Sequence, residues 1–533
     1  METKEIIEFL EEKNIKVKLA NATELDIKAP KGVVTKEIIT MLKKHKDDLI
    51  AHFSIFDTNN DIIKKVIHED KGYPLSYSQK KMWILSQIED RSLAYTLSDV
   101  LFIPNNIHKD LLEKAIIATI ERHETLRTIF KKDAKGEPQQ WIQPIERINY
   151  TLNYTDLSTV SDTETFIDKY VKKDMDIAFD LSKDILIRTH LFQVSPTQFA
   201  FYYILHHVIT DGVSMDIIIR DVLEYYRAFV ENKNVSLPEL RIQYKDYVVW
   251  QLQKMESPEF KSHEAFWKKQ LSGKLPTLDL PNQKSRPRIL TYNGRTLGTY
   301  ISLEDTLALK KFCLAHGGTI FIGALVIWKI LFYKYTKNKD IIIGTPIAGR
   351  EHADLEDLIG IFMNLLPLRS VLNENANFID TFKQIKDISF ESSKHQAFPI
   401  DKLFEDMNIQ YDPSRNPLYD VMLSFHNTSE NLASNFHPSK NELDDVFIED
   451  DENSKLDMLI NTGEIGEYLY FNINYNTDIY DEVLIRQVMK NYKLILKELL
   501  NNPSTQIKNL DLDSEVKNSI REKNKTKFKM KIK

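Results

Sequence analysis

Ile6, Ile7, Phe9 and Leu10 recur at helical spacing and predict a short amphipathic helix at the start of the chain. Ile15, Val17 and Leu19 then alternate with Lys16 and Lys18, the period of a half-buried strand. Leu25-Asp26-Ile27 predicts a second strand, and Ala29-Pro30-Lys31-Gly32 a turn. Thr35 caps a following helix whose apolar side carries Ile38, Ile39, Leu42, Leu49, Ile50 and Phe53. Residues 1–54 therefore read as a small α-β-β-α unit. The polar stretch 55–71, with Asp57, Asn59, Asn60 and Asp61, breaks the pattern and reads as a linker.

Beyond the linker, Phe201-Tyr202-Tyr203-Ile204-Leu205 is a continuous apolar run that predicts a buried strand. Tyr244, Tyr247 and Trp250 lie on one predicted helix. Thr319 to Tyr335 reads as another helix, and Ile341-Ile342-Ile343 as a strand. Residues 281–288 read as an exposed connector. The acidic run Glu442 to Glu452 reads as a solvated loop, and the alternating lysines of the tail 519–533 as a disordered basic segment.

With 533 residues the chain has room for about three domains. An apolar share of 42% is that of a soluble globular protein, and a net charge of −7 gives no reason to expect nucleic acid. The one cysteine, Cys313, excludes an internal disulfide and fits a reducing compartment. It reads as a packed small hydrophobe. The N-terminus is too charged for a signal peptide. The longest apolar stretch, Ile320 to Phe332, is interrupted by Lys329 and too short to span a membrane. The expected location is the cytoplasm, with no membrane partner. No metal-ligand spacing and no phosphate-cradling glycine loop occurs.

The candidate chemistry sits directly after the buried strand, in His206-His207-Val208-Ile209-Thr210-Asp211-Gly212. A histidine at a strand end is able to stay neutral near pH 7 and take or share a proton. The Asp is suited to holding the loop, and the Gly to a sharp turn.

This stretch resembles the HHxxxDG signature of condensation domains of non-ribosomal peptide synthetases. Six further segments resemble motifs of that family in the same order. They are Ser76 to Leu85, Arg122-His123-Glu124-Thr125-Leu126-Arg127-Thr128, and Tyr244 to Gln251. Then come Ile359-Gly360-Ile361-Phe362-Met363-Asn364, closing at Leu368-Arg369, His395-Gln396-Ala397-Phe398-Pro399, and Arg415-Asn416-Pro417-Leu418-Tyr419-Asp420-Val421. The resemblance implies an α/β fold of two chloramphenicol acetyltransferase-like lobes, 72–265 and 266–518, forming a V-shaped pseudo-dimer with a central tunnel. The segment Gly344 to Arg350 with His352 to Glu356 resembles the subtype that takes an L-configured donor. Residues 1–54 resemble TubC-type N-terminal docking domains.

By resemblance, His207 faces the reacting centre as general base or amine-orienting group, and His206 is structural. Asp211 is held by an arginine, with Arg122, Arg127 and Arg350 as candidates. The Gly212 amide, Ser214 and Asn364 are candidate oxyanion donors, and Trp250 is a candidate tunnel-wall or positioning residue. The implied partners are an upstream synthetase subunit and a carrier domain that delivers a 4'-phosphopantetheine arm, with no covalent cofactor here. The docking residues are Lys16, Lys18, Lys28 and Lys31, facing an acidic C-terminal tail of the upstream subunit. The reaction is amide formation between a carrier-bound peptidyl thioester and an amine. The chain stops soon after Asn524-Lys525-Thr526, which resembles the start of an adenylation linker. That suggests a free amine acceptor in a terminal release step. The alternatives are an elongation domain cut from a longer module and a non-catalytic docking or gating module.

Overall fold

The computed structural model describes residues 15–21, 24–29, 38, 41–43, 45–46, 62–67, 71–87, 95–103, 106–281, 283–406, 412–427, 438, 446–449 and 453–513. They fall into two compact units, residues 1–64 and 65–533. In the first, β1 (Lys16–Asn21) and β2 (Glu24–Lys28) form an antiparallel hairpin. The register sets Lys16 opposite Lys28 and Lys18 opposite Asp26. Ile15, Ile38 and Leu42 are buried, and residues 41–43 are helical. The predicted helix at Ile6 to Leu10, the Thr35 cap and Lys31 lie outside the described residues.

The second unit begins with β3 (Tyr73–Pro74) and α1 (Tyr77–Ser86). Its first lobe is built on a sheet of order β4-β9-β8-β7, comprising β4 (Thr96–Ile103), β7 (Asn153–Asp156), β8 (Ile187–Ser195) and β9 (Gln198–His206). Every residue of β9 after Gln198 is buried. The reason is cover on both faces, which turns a strand's alternating pattern into a continuous apolar run. On one face α2 (Lys109–Arg122) and α4 (Gly212–Glu231) bring Ile116, Ile120, Ile218 and Val222 against Ile187, Phe201 and Tyr203. On the other, Tyr170 of α3 (Thr163–Met175) packs edge-on to Phe192 and Tyr202, at 5.2 and 6.0 Å. A smaller sheet adds β5 (Thr128–Lys132) and β6 (Pro138–Ile142) to β3.

α5 (Tyr244–Lys254) and α6 (Pro258–Gln270) lead to the second lobe. α6 runs unbroken through 265/266 and packs Phe260 and Trp267 into the second-lobe core. That lobe contains a mixed sheet of order β12-β11-β13-β15-β16-β10-β14. Its strands are β10 (Gly294–Tyr300), β11 (Asp340–Ile347), β12 (Asn364–Val371), β13 (Val421–Asn427), β14 (Phe447–Glu449), β15 (Met458–Ile465) and β16 (Tyr468–Asn476). The sequence-expected loop at 442–452 thus contains a short edge strand, Ile448 pairing with Leu297. Residues 442–445 and 450–452, and the basic tail, lie outside the described residues.

α7 (Leu303–Ala315), α8 (Ile320–Thr336), α9 (Phe378–Lys394) and α11 (Glu482–Asn501) cover this sheet, and α10 (Ile400–Asp406) contacts α1. α8 is apolar all round because it is a core helix. Trp328 packs against the tilted ring of Tyr492, with ring centres 4.5 Å apart. Lys329 is buried, and its Nζ donates to the carbonyls of Ile341 and Leu368 at 3.0 and 2.7 Å. Burial pushes its ammonium down to about 7. Cys313 packs beside Gly323, and burial pushes its thiol up to about 12, in keeping with a packed hydrophobe. No single helix among the described residues is long and apolar enough to cross a membrane. The connector at 281–288 is exposed at Lys284, Ser285 and Arg288. Arg286, by contrast, turns inward to Asp457 and the Ser414 carbonyl, each at 2.9 Å.

Candidate active site

β9 ends on His206, and Asp211 caps α4 four residues after His207. The tight loop between them sets the two imidazoles in opposite tautomers. His207 Nδ1 lies 2.7 Å from the Thr210 carbonyl, which only accepts, so Nδ1 carries the proton and Nε2 is the acceptor. His206 Nδ1 instead accepts from the Val208 N–H at 3.1 Å, so its proton is on Nε2. That Nε2 is sealed without a partner, while His207 keeps 8% of its surface open. The backbone N–H of His207 donates to the Tyr95 carbonyl at 2.8 Å.

Burial, then the positive charge of Lys455, pushes the His207 imidazole down to about 4. Burial, then His207 and Lys455, pushes His206 down to about 3. Both are neutral at physiological pH. Both folded-state values lie below the unfolded 6.5, so the unfolded chain takes up protons first as pH falls. The stability they contribute is full above pH 6.5 and drains away as pH drops toward 4 and 3. By pH 5 the loss is about 2 kcal/mol for each histidine. Melting temperatures at about pH 7.5 and 5 measure this. A His206→Asn variant, which keeps an acceptor for Val208, is expected to show a shallower acid dependence; an unchanged slope contradicts the assignment.

Asp211 is buried and its carboxylate faces five donors. Oδ1 accepts from Ser214 N (2.8 Å), Ser214 Oγ (2.7 Å) and Arg350 Nη2 (3.1 Å). Oδ2 accepts from the Phe362 and Met363 amides of the second lobe, at 2.9 and 3.3 Å. Of the three candidate arginines the structure pairs Arg350 with Asp211. Its guanidinium also donates to the Leu355 and Leu358 carbonyls and covers the Phe362 ring at 4.1 Å. Gly349, just before it, has φ +65° and runs against the Phe362 carbonyl, so a side chain is excluded on both counts. Arg122 is elsewhere, on Asp221 (3.0 Å) and the Pro238 carbonyl (2.7 Å). Arg127 donates to the Gln143 carbonyl.

Three further expectations need correction. Ser214 is fully buried between Asp211, Arg350 and Gly360, so its hydroxyl is engaged in holding the lobes together. Asn364 gives both amide hydrogens to the Gln396 and Phe398 carbonyls and accepts from Leu365 N and Ile400 N. Neither has a donor left for an oxyanion. Gly212 does not make a sharp turn: it opens α4 without a positive φ, and a side chain there would meet nothing within 4 Å. Its amide makes no hydrogen bond within the described residues and stays available at a helix N-terminus. Trp250 lies among Tyr247, His352 and Lys254, one ring away from Phe362.

Residues of two other motif segments, Thr125 and Tyr244, hold the loop 359–363. Thr125 Oγ1 donates to the Ile359 carbonyl at 2.9 Å. Tyr244 Oη donates to the Ile361 carbonyl at 2.8 Å and is 3.0 Å from Ser76 Oγ. Gly360 is pressed against the Tyr244 ring, leaving no room for a side chain. His123 and Arg122 grip Asp221 in the middle of α4, and Arg220 ties that helix to Asp357 at 2.6 Å. Most signature residues are therefore scaffolding that fixes His207 and the second lobe in one frame. Sequence reasoning missed Lys455 and Tyr95. Lys455 follows an acidic run, and Tyr95 carries no local pattern.

Comparison with known proteins accords with this site. The Condensation domain model matches residues 69–519, and the TubC N-terminal docking domain model residues 4–54. Gramicidin S synthase 2 of Brevibacillus brevis is 31% identical over 461 residues, 86% of this chain and 10% of that protein. Bacitracin synthase 2 of Bacillus licheniformis is 30% identical over 522 residues, 98% of this chain and 19% of that protein. The chain thus spans less than a fifth of these relatives. The X-domain from teicoplanin biosynthesis superposes with a TM-score of 0.72 at 22% identity, covering 84% of this chain and 99% of that one. The first condensation domain of the calcium-dependent antibiotic synthetase does so at 0.67 and 19%, covering 84% and 100%. The chain belongs to the condensation domain family of non-ribosomal peptide synthetases, enzymes that form amide bonds on the two-lobed chloramphenicol acetyltransferase-like fold.

Proposed function

We propose that His207 Nε2 accepts the proton released when an amine attacks a carrier-bound, L-configured peptidyl thioester, and that the amine is a free small molecule in a release step. The observation that carries this reading is the fixed tautomer of His207, with Nδ1–H on Thr210 and Nε2 left as a neutral acceptor. The amine nitrogen attacks the thioester carbonyl, the C–S bond breaks, and the thiol of the phosphopantetheine arm leaves on the carrier. The nitrogen's extra proton goes to His207 Nε2, which returns it to the departing thiolate, so that the arm leaves as a thiol and His207 ends neutral. The Gly212 amide is the candidate donor to the oxyanion. The thioester is already activated, so orientation supplies much of the rate, with effective molarities of roughly 10^5 to 10^8 M. An alkylamine is mostly protonated at neutral pH and depends on a proton acceptor more than an α-amine does. The carrier arrives from an upstream subunit whose acidic tail adds to the β1–β2 hairpin, which carries Lys16, Lys18 and Lys28.

One experiment separates the parts. The chain is incubated with a peptidyl carrier, with or without such a tail, and with either alkyl and arylalkyl amines or an aminoacyl carrier; products are read by mass. The expected result is amide from free amines, dependent on His207. A tail is expected to accelerate the reaction at low carrier concentration, with the advantage fading at high concentration or high salt. Efficient transfer only to the aminoacyl carrier overturns the free-amine reading in favour of elongation. Equal rates with and without the tail at every concentration overturn the docking assignment.

A further inference from the structure

β13 carries a hydroxyl and an imidazole side by side. Val421, Leu423 and Phe425 pack into the second-lobe core, so Ser424 and His426 share the opposite face of the sheet. Ser424 Oγ lies 3.0 Å from His426 Nε2. That is the reach of a serine nucleophile paired with its base. No described residue bonds His426 Nδ1, so the pair is a dyad without a third member. Parallel pairing sets Asn461 of β15 beside Ser424, and its Nδ2 donates to Asn472 Oδ1 at 2.9 Å. The second hydrogen of that amide has no partner among the described residues. Ser424 keeps 7% of its surface open, close to the 8% of His207. The dyad stands in the part of the sheet to which the first lobe is fastened. Gly344 pairs with Met422 and Ile347 with Asn364, which sets Asn364 about level with Phe425. β11 alone separates β12 from β13, so the lateral distance is roughly 10 Å. The Phe362 and Met363 amides that hold Asp211 directly precede Asn364. On the other side of β13, the segment before β15 reaches the Tyr95 ring of the first lobe through Lys455. β13 therefore lies between the two attachments.

We propose that Ser424 and His426 form a second catalytic pair, which hydrolyses acyl thioesters when no amine is present and so clears chains stalled on a carrier. Ser424 Oγ attacks the thioester carbonyl, and its proton passes to His426 Nε2. The C–S bond breaks, the sulfur takes that proton from His426, and a thiol leaves. The acyl group is then an ester of Ser424. Water attacks the ester carbonyl and gives one proton to His426 Nε2. The bond from the carbonyl carbon to Oγ breaks, Oγ recovers the proton, and a carboxylic acid leaves. Both residues return to their starting state, and water is the one co-reactant consumed. The free amide hydrogen of Asn461 is the candidate donor to the oxyanion. A positioned base contributes roughly 10^2 to 10^4-fold, and a dyad with no group orienting the imidazole belongs at the lower end. The proposal does not depend on the identity of the amine or on the role of His207.

The test uses the full chain with a short peptidyl N-acetylcysteamine thioester and no amine, following release of acid and thiol. The wild type is expected to release both, through an ester on Ser424 seen by mass after an acid quench. Ser424→Ala is expected to fall to the uncatalysed rate, and His426→Gln to lose roughly 10^2-fold. Neither change is expected to alter amide formation once an amine is supplied, which separates a second activity from damage to the fold. An alkyl fluorophosphonate, a reagent for activated serines, is expected to label Ser424 in the wild type and not in His426→Gln. This arm needs no variant of Ser424 to fold. Hydrolysis that persists in Ser424→Ala and is lost in His207→Ala overturns the proposal, because water then replaces the amine at His207. A wild-type chain that neither hydrolyses the thioester nor takes the label overturns it too. Failure of the His207 assignment is seen separately, as full amide formation by His207→Ala.

Discussion

Replacing His207 by alanine is expected to lower amide formation by roughly 10^2 to 10^4-fold, the usual contribution of a positioned base. The fold should survive, because the buried side chain makes one hydrogen bond, to the Thr210 carbonyl, and keeps 8% of its surface open. Losing that bond costs about 1 kcal/mol. The assay is product formation from a peptidyl thioester on a carrier domain, with the melting temperature measured alongside. His207→Gln is the sharper variant. Its amide retains a donor for Thr210 but offers no basic nitrogen, so it should fold like the wild type and fail like alanine. Wild-type rates in either variant would remove His207 from the chemistry and leave the site a positioning device.

The parts of this site legible in the sequence are those that depend on near neighbours in the chain. The β9 run is uniformly apolar because both its faces are covered, and the histidine pair and Asp-Gly follow it within one turn of chain. The partner of Asp211 is not local. Arg350 lies 139 residues away, and only the return of the second lobe sets it there. Arg122 and Arg127 have the same charge and sit in a motif, so charge alone does not separate them. What separates them is that Arg122 is drawn to Asp221 on the face of α4.

Ser214 and Asn364 show a second kind of illegibility. Both residue types are able to donate to an oxyanion, and both lie in motif segments. Whether a donor is still available depends on which carbonyls the fold brings near it. Here Gly360 and Asp211 take the serine, and Gln396 and Phe398 take the asparagine. Lys455 is the converse case. Beside an acidic run it reads as a solvated residue, and only the crossing of the lobes brings it to Tyr95.

Asp211→Ala is expected to produce the largest loss of stability of any substitution at the site. It strands the Arg350 guanidinium, which is buried, together with the amides of Phe362, Met363 and Ser214. Removing one partner of such a pair costs about 3 to 5 kcal/mol, because the remaining charge keeps its desolvation penalty without its counterion. For a unit this large, that is a fall in melting temperature of roughly 3 to 5 °C. Asn is no substitute. All five groups facing Asp211 are donors, three on one oxygen and two on the other. An asparagine turns an NH2 toward one set whichever way it is flipped, so Asp211→Asn should lose most of what alanine loses. Pairing Asp211→Ala with Arg350→Met removes the stranded charge, and the double variant should regain part of the stability lost by the first alone. It should regain little activity, because the cap on α4 and the tie to the loop 359–363 stay broken and His207 is no longer fixed against the second lobe. Calorimetry and the carrier assay on the three variants decide the matter. A melting temperature unchanged in Asp211→Ala, with full activity, would mean that the carboxylate neither joins the lobes nor supports the reaction.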